Sequence, residues 1–141
     1  MYVRRSAWTI IALLGLLLLA AAGCGGAKEY QEHALAEVCE AAEWGDHVQV
    51  SGILKLPATI IYRDGEYRLL LVEDLAQDQP WVGMNVKKGS GKNRMQPLAD
   101  NYTFDDLAVR TADGRTVGHG DAVTVSGRYW SGCEMDVERI E

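Results

Sequence analysis

Lys87, Lys88, Lys92 and Arg94 form the only basic cluster in an acidic chain and surround Gly89-Ser90-Gly91. Cations grouped this closely can hold an anion, whether a phosphate, an acidic glycan or an acidic patch on a protein. A nucleotide phosphate loop needs four residues between its first Gly and the Gly-Lys pair, then Ser or Thr. Asn93 follows Lys92 instead. The histidines His33, His47 and His119 are scattered, without His-x-x-x-His or His-x-Glu spacing. Only Asp46-His47 and His119-Gly120-Asp121 have a route to each other, since both precede strands, and they would form a weak metal-dependent catalytic site. No Gly-x-Ser-x-Gly elbow occurs, and Ser51 and Ser126 fall within strands without a base beside them. A non-catalytic binding module is therefore expected, with no cofactor. Trp81 and Trp130 complete the candidate set, as aromatic anchors for a protein partner.

The elements that must position these residues are announced by a repeated pattern. Gly45-Asp46-His47-Val48-Gln49-Val50-Ser51-Gly52 is echoed by Gly120-Asp121-Ala122-Val123-Thr124-Val125-Ser126-Gly127. Each is a Gly-Asp turn feeding an alternating strand, with Val48/Val50 and Val123/Val125 on one face. Gly52 and Gly127 fall where a strand bends or bulges.

Between and around these stretches the chain reads as mainly β. Residues 28–44 are expected to form one helix, because Tyr30, Leu35, Val38 and Ala42 recur near helical spacing and Gly45 supplies a stop. A strand runs from His47 to about Leu56 and ends at Pro57. Ile60-Ile61-Tyr62 starts a ribbon that turns at Arg63-Asp64-Gly65-Glu66 into Tyr67–Glu73, whose Leu69-Leu70-Leu71-Val72 is apolar on both faces and so central. Trp81 to Lys88 is a third strand with Val82, Met84 and Val86 on one face. The segment 95–106 gives no clear pattern beyond a helical turn. Leu107–Arg110 and Thr116-Val117 flank a hairpin turn at Ala112–Arg115. After the second Gly-Asp strand, Ser131-Gly132-Cys133 turns into a last strand, Glu134–Ile140, with Met135 and Val137 inward.

The two Gly-Asp-x-Val-x-Val-Ser-Gly stretches, the Leu-rich second strand and the closing Val-x-x-Ile resemble the OB-fold. They are similar in particular to the small periplasmic and lipoprotein OB-folds grouped with tRNA-anticodon-binding-like domains. The likeness covers 45–141 and implies a small Greek-key barrel whose first and fourth strands lie side by side, which suits the echo.

The N-terminus has its own logic. Arg4-Arg5 precede an apolar run, Ala7–Ala22, that ends in Ala21-Ala22-Gly23-Cys24. Basic start, apolar middle and small-residue end describe a secretory signal. A Cys at its end resembles a bacterial lipoprotein signal, although Ala21 stands where Leu is usual. The resemblance implies cleavage of 1–23, lipidation of Cys24, a flexible tether over 24–27, and contact with the bilayer through the acyl chains. The domain would then sit in the cell envelope: on the periplasmic face of the outer membrane in a cell with two membranes, otherwise on the outer face of the cell membrane.

Export leaves Cys39 and Cys133 in a compartment where disulfides persist. A bond between them would close most of the domain into one loop, worth about 4–5 kcal/mol in the chain-entropy model; two separate buried thiols are the other reading. Loss of Arg4 and Arg5 with the leader takes the net charge of the whole chain from −6 to −8. On that balance no nucleic-acid partner is expected. The partner expected is an envelope protein, with an anionic small molecule or glycan on the Lys87–Arg94 loop as the alternative and a His47/His119 enzyme as the weaker one.

Overall fold

The computed structural model describes residues 26–77 and 79–141, so the leader, Cys24 and Gly25 lie outside the described residues. The elements are β1 (Gln31–His33), α1 (Leu35–Ala41), β2 (His47–Lys55), β3 (Ile61–Arg63), β4 (Glu66–Val72), β5 (Trp81–Lys87), β6 (Arg94–Met95), a 3-10 turn (Phe104–Asp106), β7 (Val109–Arg110), β8 (Thr116–Val117), β9 (Ala122–Trp130) and β10 (Glu134–Ile140).

Five of the strands close on themselves. β2 pairs antiparallel with β9 over His47–Ile53, then with β4 over Ile53–Lys55. β4 continues to β5, β5 runs parallel to β10, and β10 returns to β9. This is an OB-fold barrel, and the two Gly-Asp strands are neighbours in it. A strand that serves two partners has to bend, and β2 does so at Gly52. A Cβ there would lie 2.8 Å from the side chains of Leu35 and Leu71 and 2.9 Å from the Val72 carbonyl. Gly127 is under the same constraint on β9, where a Cβ would run into the Asp136 carbonyl beside the register shift of β10 between Val137 and Arg139.

Strand alternation then fills the interior. Val48, Val50, Leu69, Leu71, Val82, Met84, Val86, Val125 and Met135 are buried, with Val123 and Val137 nearly so. Close-packed aliphatics of this kind supply the main stabilising term. The small sheet β6-β7-β8, reached after β5, brings Met95, Val109 and Val117 to one end of the barrel. Leu35 and Val38 of α1 cover the other. There Cys39 is bonded to Cys133, their Cα atoms 4.9 Å apart and 94 residues apart in sequence.

The single helix expected over 28–44 is replaced by two short elements. β1 pairs in parallel with β2, and only Leu35–Ala41 is helical. The cause is tertiary. Tyr30 is held in an extended segment by its hydroxyl, which donates to Glu138 at 2.7 Å, while the Lys28 ammonium meets the other oxygen of that carboxylate at 2.8 Å. Burial, then the neighbouring carboxylate, pushes the Tyr30 hydroxyl up to about 12. Burial alone would raise Glu138, yet the hydrogen bonds from Lys28 and Tyr30 hold it below its ordinary value.

Candidate ligand-binding groove

The outward positions of the strands decide what the barrel offers to a partner. On β4 they are Glu66, Arg68 and Leu70; on β5, Trp81, Gly83 and Asn85; on β10, Glu134 and Asp136; on β9, Arg128 and Trp130. Each set follows period-two alternation against a buried set on the same strand. Together with the β3–β4 turn they border a cleft of about 790 Å³ lined by Ile61, Arg63, Asp64, Glu66, Arg68, Asn85, Trp130, Glu134 and Asp136. A smaller, apolar hollow of about 250 Å³, walled by Pro57, Thr59, Leu70 and Trp81, shares Ile61 and Arg68 with it. The two therefore form one groove with a polar and an apolar half.

Its side chains are held in place by one another. The Arg68 guanidinium meets Glu134 at 2.6 Å and lies 5.7 Å from the centre of the Trp81 ring. Gly83 lies beneath this pair, and a Cβ there would come within 3.0–3.2 Å of both side chains. The Trp130 indole N–H donates to Asp136 at 2.6 Å, and the Asn85 amide donates to the other carboxylate oxygen at 3.0 Å. Arg128 lies beside two indoles that meet edge to face at 5.2 Å, 5.0 Å from the ring of Trp130 and 5.4 Å from that of Trp44, which is 64% exposed. Burial raises Glu66 above the usual carboxylate range, and the Asp136 charge adds to this more than Lys87 takes away.

The residues singled out in the sequence divide. Trp81 and Trp130 both reach this groove, one in each half. The basic cluster does not converge. Lys87 is the cross-strand neighbour of Glu66, and Lys88 lies over the Tyr62 ring at 5.2 Å. Arg94 turns back to donate to the Lys88 carbonyl at 3.3 Å, and Lys92 is exposed in the loop. His47 and His119 stand at opposite ends of β2. His47 is 3.8 Å from Glu138, whereas the Nδ1 of His119 accepts from the Leu56 N–H at 3.0 Å, and the length of β2, roughly 30 Å at strand rise, separates them. The joint His47/His119 site is thereby removed. Among the described residues no group of three or more His, Cys, Asp or Glu is placed to hold a metal ion.

Arg68, Asn85, Glu134, Asp136 and Arg128 were not foreseen as site residues. Their signal was present, as the alternate polar positions of four predicted strands. It becomes readable only once β5 is known to lie beside β10.

No protein-family model and no curated protein matches the sequence. Among solved structures the chain is similar to the telomere capping protein Ten1 from Saccharomyces pombe, at 12% identity and a TM-score of 0.43 over 80% of each chain. It is also similar to the S. pombe Stn1-Ten1 complex, at 13% identity and a TM-score of 0.45, covering 82% of this chain and 78% of that one. At such identity the likeness concerns the fold. A telomere capping protein stands among these structures, and the expectation that nucleic acid is no partner is withdrawn. The physical reason is that net charge is a sum over the whole surface. Locally this face sets Arg63, Arg68 and Arg128 beside Asp64, Glu66, Glu134 and Asp136, with the rings of Trp81 and Trp130 among them, so both signs of charge are present there.

Proposed function

We propose that this chain is a non-catalytic binding module, held at the cell envelope by a lipid on Cys24, whose ligand lies in the groove between the β3–β4 turn and Trp130. The observation that carries the reading is the coincidence of that groove with the outer face of the second and third barrel strands and the turn between the last two. OB-folds take their ligands there. Side chains already fixed by hydrogen bonds and ion pairs lose little freedom when a ligand arrives, which favours binding over idle surface. An envelope protein is the partner this reading expects.

The test is a pull-down from detergent-solubilised envelope with three forms of the lipidated chain. They are the wild type, a groove variant carrying Gly83→Leu, and a loop variant with Lys87, Lys88, Lys92 and Arg94 changed to Gln. A partner lost from the groove variant and kept by the loop variant supports the reading. A partner lost only from the loop variant moves the site to the basic loop and overturns it. Lipidation is tested separately: labelled palmitate should enter the wild type and not Cys24→Ala.

A further inference from the structure

We propose that the occupant of the groove is an extended peptide segment of a partner protein, with a Lys or Arg side chain in the polar half and an apolar side chain in the hollow beside Trp81. This rests on the reading of the groove as the binding site and adds the chemistry of the ligand.

Charge pairing within the groove supplies the first argument. Arg68 is taken by Glu134 at 2.6 Å and Arg63 by Asp64 at 3.1 Å. Two lining carboxylates remain. Asp136 is held by the neutral donors Trp130 and Asn85 and has Arg128 as its cross-strand neighbour, while Glu66 has Arg63 on one side and Lys87 on the other; these cations are register neighbours, and the ion pairs of Arg63 and Arg68 go to Asp64 and Glu134 instead. Both face the same cleft, and the Asp136 carboxylate works against a negative charge on Glu66 there. A cation placed between them satisfies both, and the Trp130 ring beside them adds an aromatic face to that position.

Length supplies the second argument. Glu66 and Leu70 point outward from the same strand, four residues apart, which is roughly 13 Å. An extended peptide lying along β4 repeats that spacing. A basic side chain over Glu66 and Asp136 therefore puts the side chain four residues away over Leu70 and Trp81. Pro57, Thr59 and Ile61 complete that hollow, whose walls are apolar apart from Arg68 and Thr59. A single small cation would leave it empty, and a chain carrying both kinds of side chain uses all of the groove.

The experiment titrates the full chain by calorimetry with three probes: the peptide Arg-Ser-Thr-Ser-Leu with blocked ends, the same peptide with Glu in place of Arg, and single-stranded dT10. The Arg peptide is expected to bind and the Glu peptide not. Glu66→Gln with Asp136→Asn should weaken the Arg peptide by at least roughly tenfold; because Asn can accept from only one of Trp130 and Asn85, Glu66→Gln alone, which keeps both of those bonds, should weaken it in the same direction. Replacing Leu by Ser in the peptide should weaken it again. Equal binding of the Arg and Glu peptides, or an Arg affinity unchanged in the double variant, overturns the inference. So does binding of dT10 that is lost in Trp130→Ala, although this outcome leaves the groove as the binding site. If none of the probes binds, the inference falls, while the groove reading stands or falls with the envelope pull-down.

Discussion

The two Gly-Asp-x-Val-x-Val-Ser-Gly stretches lie side by side and are built alike. In the first, Asp46 accepts the Glu43 N–H at 2.9 Å through its side chain and returns its own N–H to the Glu43 carbonyl at 3.1 Å. In the second, Asp121 does the same with Gly118, at 2.7 and 3.2 Å. Both Gly residues before the Asp have φ 94°, both Val pairs face the core, and both closing Gly residues sit where a Cβ has no room. The difference begins one residue later. Ile53-Leu54-Lys55 turns away to pair with β4 and serves closure of the barrel. Arg128-Tyr129-Trp130 carries on beside β10 and delivers Arg128 and Trp130 to the outer face. The motif is a scaffold used twice, and the proposed groove is reached by the side chains of only one of its exits.

That comparison can be broken or sharpened by substitution. The largest loss of stability is expected from Gly127→Ala, about 3 kcal/mol by urea unfolding, because the obstacle is backbone and cannot rotate aside. Gly52→Ala meets two leucine side chains as well as a carbonyl and should cost less, about 2 kcal/mol. An equal or reversed order would show that the copies do not carry the same kind of bend. Asp46→Ala and Asp121→Ala each remove one turn-capping bond and should cost about 1 kcal/mol apiece; a value for one several times the other would end the equivalence. Trp130→Ala, at the functional exit, should change stability less than either glycine substitution and yet abolish capture of the envelope partner.

The smallest effect is one of pH. Glu66 is held above its ordinary value, so the folded chain binds its proton more readily than the unfolded chain does. Stability from this group is present below the unfolded carboxyl value and is lost as pH rises through the raised one. Glu66→Gln should therefore raise the melting temperature slightly at pH 7 and leave it nearly unchanged at pH 3. A gain that is the same at both values would mean that charge is not the cause.

How much was legible follows from which contacts are local. The alternation of Val48/Val50, Val82/Met84/Val86 and Met135/Val137 is a property of each strand alone, and the barrel could be read from it. The turn at Asp64-Gly65, with Asp64 at φ 53° and Gly65 at φ 85°, was equally visible. Tyr30 misled because helical spacing there is coincidental, and Glu138, more than a hundred residues away, decides its conformation. The groove was illegible for the same reason, since Arg68 meets Glu134 only through the parallel pairing of β5 with β10 and the absence of a side chain at Gly83. The basic run shows the limit of proximity in sequence: Lys88 and Arg94 are close along the chain, but one faces Tyr62 and the other its own loop.

The clasp between Lys28 and Glu138 has a mechanical consequence. It fixes the chain to the barrel wall four residues after Cys24, a stretch that can reach at most about 14 Å. With a lipid on Cys24, the barrel is moored and not leashed. On the lipidation proposed above it would ride within its own width of the bilayer, and a partner would meet it in the layer of solvent next to the headgroups.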